Sequence, residues 1–279
     1  MWQALFIMFI AMSMIPAGDT AGKLLMNAHD ASPHYVAWSR FAIGALVALP
    51  LLRADTIRLL ADWRIWLRAM LLTGGILSIQ TALATIPLAD TFAAFFIGPI
   101  FSYGLSVLLL GEKVTLLRSL LMLLGFAGVL LVVRPGFDME PGLIFAVLAG
   151  LCYGAFLTSS RWLAPVSRPG SLLFTQLFLS FVMMTPICWN SAPPITAPIL
   201  GLTTLSALFS MGGNFLLLFA YARASATSLA PYVYFQLIAA VALGWLVFED
   251  LPDGFTIVGL TLIVGAGIAS ALAATRPRP

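Results

Sequence analysis

The stretch Thr91–Val133 reads TFAAFFIGPIFSYGLSVLLL, GEK, VTLLRSLLMLLGFAGVLLVV: two apolar runs of 20 residues, parted by Gly111-Glu112-Lys113 and holding one further charge, Arg118. A helix that crosses a bilayer needs about 20 mostly apolar residues. Continuous apolarity over that length reads as helix, because barrel strands alternate in segments of about ten residues. The same pattern returns later in the chain. A shift of 137 lays Glu112 on Glu249, Gly75 on Gly212, Ala93 on Ala230 and Gly128 on Gly265. A shift of 136 lays Gly18 on Gly154, Arg40 on Gln176 and Pro50 on Pro186.

Working outward from these runs, ten stretches satisfy the length criterion: Gln3–Leu25, His34–Leu52, Trp66–Ala84, Asp90–Leu110, Thr115–Val133, Leu143–Trp162, Ser171–Trp189, Ile199–Tyr221, Thr227–Phe248 and Phe255–Ala274. Pro and Gly punctuate the gaps, as in Ser32-Pro33, Pro141-Gly142, Pro169-Gly170 and Pro252-Asp253-Gly254. The connections are short and leave no room for a soluble domain. The expected architecture is an all-α integral membrane protein with ten transmembrane helices in two repeats, residues 1–135 and 142–276. Each repeat holds five spans, and five is odd, so the second must enter the bilayer from the opposite face. Inverted repeats of this kind build secondary transporters, with the solute site near the midplane between the halves.

Composition agrees. Of 279 residues, 61% are apolar and 9% charged, whereas a soluble domain carries about 25% charged residues. A water-soluble enzyme, a nucleic-acid binder and a disordered chain are all excluded on that ground. The 14 Lys and Arg are unevenly placed. With the N-terminus inside, eleven of them fall in cytoplasmic segments (Arg53, Arg58, Arg64, Arg68, Lys113, Arg118, Arg161, Arg168, Arg223, Arg276 and Arg278), and Arg134 alone falls outside. Both termini are therefore expected in the cytoplasm. Met1-Trp2-Gln3 lacks a basic leader, so the first run is expected to stay as a span. Cys152 and Cys188 sit in apolar runs, His29 and His34 share one loop, and no metal-ligand spacing or HExxH or GxSxG motif occurs. No metal and no cofactor are expected.

Gly98-Pro99-Ile100, Leu110-Gly111-Glu112-Lys113-Val114-Thr115 and Leu124-Gly125-Phe126-Ala127-Gly128-Val129 resemble the EamA repeat of the drug/metabolite transporter superfamily. The second copy shows Ala230-Pro231, Phe248-Glu249-Asp250 and Gly265-Ala266-Gly267, with Phe248 in place of the Gly before the acid and Gln236 opposite Pro99. The overall pattern is similar to the ten-span amino-acid exporters, the YddG-type aromatic amino-acid exporters among them. The resemblance implies a multi-pass protein of the bacterial inner membrane that exports small metabolites, most plausibly amino acids, aromatic ones included. It also implies that Gln80 and Asn214, and the spans carrying Pro99 and Gln236, surround a central cavity.

Within the spans, Asp19 and Lys23 stand at i, i+4 on one face of the first helix, within pairing reach. Ionisable groups at membrane depth usually face a bundle interior or a wet cavity. One reading is a neutralising pair near the outer end of the span; the other is a polar wall of the transport path. Arg40, about six residues into the second span, has two fates open to it: snorkelling to the outer surface, or acting as a gate that pairs with Asp19 or takes a substrate carboxylate. Gly18 and Gly154 are repeat mates that serve either close packing or a gating hinge. Gln80 and Asn214 are either interhelical glue or cavity lining. The aromatic clusters offer Phe95 and Tyr234, which with Pro99, Gln236 and Tyr153 would make a pocket for a mid-sized amphipathic solute. The substrate-binding set is thus Asp19, Lys23, Gln80, Phe95, Pro99, Tyr153, Asn214, Tyr234 and Gln236. Glu112 and Glu249 are expected to cap the helices that follow them. The Trp residues near span ends read as an interfacial belt.

These residues support an alternating-access transporter whose partners are a small-molecule solute and the lipid bilayer, with a monomer as its unit and no nucleic acid. The alternatives are an exporter of other metabolites or drugs, a polytopic membrane enzyme, and a scaffold without transport. An enzyme would need a nucleophile with its base, or a metal or phosphate cluster, and the sequence offers only the two loop histidines and the Asp19–Lys23 pair.

Overall fold

A computed structural model describes residues 2–111, 116–133, 140–163, 165–189, 191–223 and 235–275. The described residues are helical, with no strand among them. In chain order the helices are α1 (Trp2–His29), α2 (Pro33–Val47), α3 (Ala54–Leu59), α4 (Trp63–Leu83), α5 (Leu88–Phe95), α6 (Ile97–Leu110), α7 (Leu116–Val133), α8 (Pro141–Leu163), α9 (Pro169–Cys188), α10 (Ala197–Arg223), α11 (Phe235–Phe248) and α12 (Gly254–Thr275). Five helical stretches among the described residues are long and apolar enough to cross a membrane: Trp63–Leu83, Leu88–Leu110, Pro141–Ser160, Gly170–Cys188 and Ala197–Leu216. Side chains such as Leu108, Leu116, Leu246 and Ile257 are exposed on the outside of the bundle, as lipid-facing positions should be.

Local chemistry sets the helix ends. Ser32 caps α2 by accepting the Tyr35 N–H at 3.1 Å, with Pro33 opening the helix. Asp62 caps α4, accepting the Arg64 N–H at 3.0 Å; the hydrogen-bonded Arg64 guanidinium holds its carboxyl below the usual carboxylate range. The expected run Asp90–Leu110 is broken into α5 and α6 at Phe96. Pro99 has no N–H to give the Phe95 carbonyl. Gly150 of α8 comes in there so closely that a Cβ on it would stand 2.5 Å from Phe95 O. The segment between α2 and α4 contains the short helix α3, which the apolar pattern does not mark.

Glu249 does not cap the helix after it. It follows the last residue of α11 with φ +60° and its N–H bonds Trp245 O at 3.1 Å. The cap of α12 is Asp253, which accepts the Thr256 N–H at 2.8 Å. Glu112 lies outside the described residues.

Lipid offers little hydrophobic drive for helix association, so close backbone approach at small residues carries much of the packing. α1 lies along α10: a Cβ on Gly18 would stand 2.9 Å from Ser206 O and Ser210 N, and one on Gly213 2.9 Å from Ala11 O. α7 crosses α12 where Gly128 and Gly259 would each meet the other's carbonyl at 2.7 Å. The pairings exchange when the two halves of the chain are exchanged. α1 on α10 corresponds to α8 on α4, α1 on α11 to α8 on α6, and α2 on α10 to α9 on α4, while α2 on α9 and α7 on α12 map onto themselves.

The bundle has two ends with different contents. At one, here the α3 end, α3, the start of α4, the end of α8 and the start of α9 meet: Thr56 Oγ1 donates to Ser171 Oγ at 3.1 Å, and the buried Arg68 donates to Ser160 Oγ at 2.9 Å and Leu172 O at 3.0 Å. At the other end the α4–α5 turn, the start of α8 and the start of α12 meet around the largest apolar core, which includes Leu25, Ile86, Phe92, Val132, Leu143 and Leu237.

Candidate functional site

Asp19 is the centre of a buried polar cluster. Its Oδ1 accepts from Arg40 Nη1 at 2.5 Å and from Gln80 Nε2 at 2.9 Å. Arg40 is 6% exposed, Asp19 3% and Gln80 0%. The remaining Arg40 bonds run to Gly18 O from Nη2 at 2.8 Å and to Ser206 Oγ from Nε at 3.0 Å; Ser206 Oγ donates in turn to Gly18 O at 2.9 Å. Four helices thus converge: α1, α2, α4 and α10. Gly22 makes room for them, since a Cβ there would stand 2.9 Å from Arg40 Nη2 and 3.0 Å from Gln80 Oε1. Arg40 therefore does not snorkel. Its guanidinium fork satisfies a carboxylate, a carbonyl and a hydroxyl inside the bundle, a match that a buried cation requires.

The expected pairing of Asp19 with Lys23 does not form. Lys23, 6% exposed, donates to Ile86 O at 2.5 Å and lies 5.3 Å from the centre of the Phe248 ring. The i, i+4 spacing allowed the pair, but α2 supplies Asp19 with a bidentate-capable partner, and the α4–α5 turn gives Lys23 a carbonyl.

Two cavities adjoin the cluster. One of about 330 Å³ lies toward the α3 end, lined by Phe41, Ala48, Leu51, Phe156, Gln176 and Phe215 among others. The second, about 210 Å³, is lined by Asp19, Phe95, Phe96, Pro99, Leu157 and Gln236 among others. Arg40, Leu72, Ile76, Tyr153, Ser210 and Asn214 line both. The Tyr153 ring lies 5.9 Å from Phe156, stacked, and 5.2 Å from Phe95, tilted. The arrangement offers a neutral ion pair and a few amides within largely apolar, aromatic walls.

Of the sequence-derived residues, Asp19, Phe95, Pro99, Tyr153, Asn214, Gln236 and Arg40 are brought together around the second cavity. Gln80 reaches it through Asp19. Lys23 lines neither cavity, and Tyr234 lies outside the described residues. Gly18 and Gly154 are close-packed, Gly18 on α10 and Gly154 on the Gly98 carbonyl of α6. Sequence reasoning missed Ser206, Gly22 and Gln176. Gly22 follows Gly18 at i+4 on the same face, and Gln176 is the repeat mate of Arg40; both signals were available. Among the described residues no group of three or more His, Cys, Asp or Glu could hold a metal ion.

The sequence profile of the EamA-like transporter family matches residues 2–134 and again 140–271. The chain belongs to the EamA-like transporter family. EamA relatives include an S-adenosylmethionine uptake transporter of Rickettsia bellii, 27% identical over 237 residues that span 83% of this chain and 81% of the relative. A pseudopaline exporter of Pseudomonas aeruginosa is 31% identical over 193 residues, 67% of each chain. A riboflavin transporter of Rhizobium johnstonii is 27% identical over 241 residues, 83% of this chain and 78% of that one. One solved crystal structure superposes with a TM-score of 0.65 at 20% identity, covering 98% of this chain and 97% of its own, and shows the fold. The family and these relatives are transporters. This EamA chain is accordingly a membrane protein with several apolar helices.

Proposed function

We propose that the chain is a secondary transporter of the bacterial inner membrane that exports small amphipathic zwitterions, amino acids or related metabolites, by alternating access. The observation that carries the reading is the Asp19–Arg40 pair, with both partners on the wall of the second cavity and Arg40 also on the wall of the first. The pair is neutral as a whole and offers a carboxylate for an ammonium and a guanidinium for a carboxylate. Oδ1 takes both protein bonds, and no described residue donates to Oδ2. Aromatic walls at Phe95, Tyr153 and Phe156 suit the apolar remainder of the solute.

The exchange of helix pairings between the halves and the double profile match support ten spans in two inverted five-helix repeats, residues 1–135 and 142–276. The basic residues favour a cytoplasmic α3 end with both termini on that side. In this reading Asp19, Phe95, Pro99, Tyr153, Asn214 and Gln236, with Tyr234, bind the solute, Gln80 acts through the Asp19 carboxylate that it holds, and Arg40, Gly18 and Gly154 move with the gate. The relatives carry three chemically different solutes, and one is named for uptake while another is named for export, so neither solute nor direction transfers from them. The export direction is the one the sequence resemblance implies.

Proteoliposomes loaded with labelled amino acids, nucleosides or lipophilic cations, with and without a proton gradient, test the reading. Counterflow of amino acids is expected, lost in Arg40→Leu. Movement of lipophilic cations without amino acids would overturn it. A flux unchanged when the gradient is collapsed would make transport facilitated rather than proton-coupled.

A further inference from the structure

Three buried side-chain oxygens among the described residues have no hydrogen-bond partner: Gln80 Oε1, Ser106 Oγ and Gln176 Oε1. Leaving a buried acceptor unmet is costly, and each such atom calls for an explanation, a group that completes it being one. Gln80 and Ser106 line neither cavity, whereas Gln176 lines the larger one. Gln176 sits on α9 between Leu173 and Leu177, which share that wall. No described residue donates to its Oε1. The repeat places Gln176 where the first half has Arg40. The two halves therefore contribute to one cavity a charged donor and a neutral acceptor from equivalent positions.

We propose that Gln176 is a specificity-determining residue that accepts a hydrogen bond from a donor on the side chain of the transported solute. This rests on the transport reading above and adds to it. The charged end of the solute is held at Asp19 and Arg40, the apolar body lies against the aromatic walls, and an O–H or N–H further out meets Gln176 Oε1. The solutes favoured are amino acids whose side chain is apolar in the middle and carries a donor at its end. A site built around such a bond rejects the analogue that lacks the donor, because its own acceptor is then left unmet.

The test is counterflow of tyrosine against phenylalanine, and of glutamine against methionine, in liposomes holding the native chain or Gln176→Met, which keeps the shape and removes the amide. The native chain should prefer the donor-bearing member of each pair about fivefold or more, the worth of one hydrogen bond, and Gln176→Met should lower that preference to about twofold or less. Phenylalanine flux in the same liposomes reports whether the variant is folded. A native chain without preference, or a variant that keeps it, overturns the proposal. So does a variant that loses phenylalanine flux as well, since the residue would then be structural. If no amino acid moves in the native chain, the transport reading falls first, and this inference with it.

Discussion

One turn of α1 separates Asp19 from Lys23, and the two are held in opposite ways. Asp19 faces a cavity and is held by side chains from α2 and α4. Lys23 is packed toward the end opposite α3, held by the Ile86 carbonyl and the Phe248 ring. Charge at membrane depth is expensive in both places. At the first, the cost is offset by a side-chain pair that a solute with the same two charges could replace. At the second it is offset by backbone and ring contacts that no solute can mimic without pulling the α4–α5 turn away from α1. The same kind of residue can thus border a cavity or brace the packing, and the partner decides which.

The contrast breaks most sharply at Arg40. Removing the guanidinium in Arg40→Leu leaves the Asp19 carboxylate buried with the Gln80 amide as its one remaining donor, a loss of about 3–5 kcal/mol for a broken buried pair. Thermal unfolding in detergent should show that loss, and amino-acid flux should vanish. Replacing both partners, Asp19→Leu with Arg40→Leu, should restore most of the stability, because no unmatched charge remains, yet leave flux absent. Transport by the double variant would show that the pair is structural, like Lys23.

At Lys23 the expectation is the reverse. Lys23→Met removes a hydrogen bond from a charged donor, about 1.5–3 kcal/mol of stability, but solute affinity measured by equilibrium binding should change little, since Lys23 lines neither cavity. A tenfold fall in affinity would place Lys23 in the solute path and erase the distinction between the two turns.

Much of the helical pattern was legible because uncharged runs of span length leave few alternatives to helix. The break at Phe96 was legible only as Pro99; its position depends on Gly150 arriving from α8. Phe95, Pro99, Tyr153, Asn214 and Gln236 stood out as polar or aromatic residues at repeat-related or mid-span positions, and the fold gathers them round one cavity. The fate of Arg40 was not legible. Snorkelling and internal pairing differ by which helix lies beside α2, and that is a tertiary fact. The same holds for Lys23, whose carbonyl partner is 63 residues away. Gln176 was legible as the mate of Arg40, but its unmet oxygen is a property of its surroundings.

The smallest test concerns the Lys23 end and its counterpart across the repeat. α6 and α11 end alike, with a left-handed residue directly after the helix or its last turn: Gly111 at φ +65° and Glu249 at φ +60°. Glycine adopts that conformation freely, whereas an L side chain pays roughly 1–2 kcal/mol for it. Glycine in turn gives up about 0.5–1 kcal/mol to the freedom of the unfolded chain. Glu249→Gly should therefore stabilise the protein by about 0.5–1 kcal/mol, seen as a small rise in the thermal midpoint. Glu249 adjoins Phe248, whose ring faces Lys23, and neither Phe248 nor Glu249 lines the two cavities, so the gain falls at the Lys23 end. Solute affinity should not change, while turnover should slow slightly if this end must open in each cycle. A fall in stability would mean that the Glu249 carboxylate makes contacts worth more than the backbone strain. A change in affinity would mean that the Lys23 contacts and the Asp19 cluster respond to each other along the single turn that divides them.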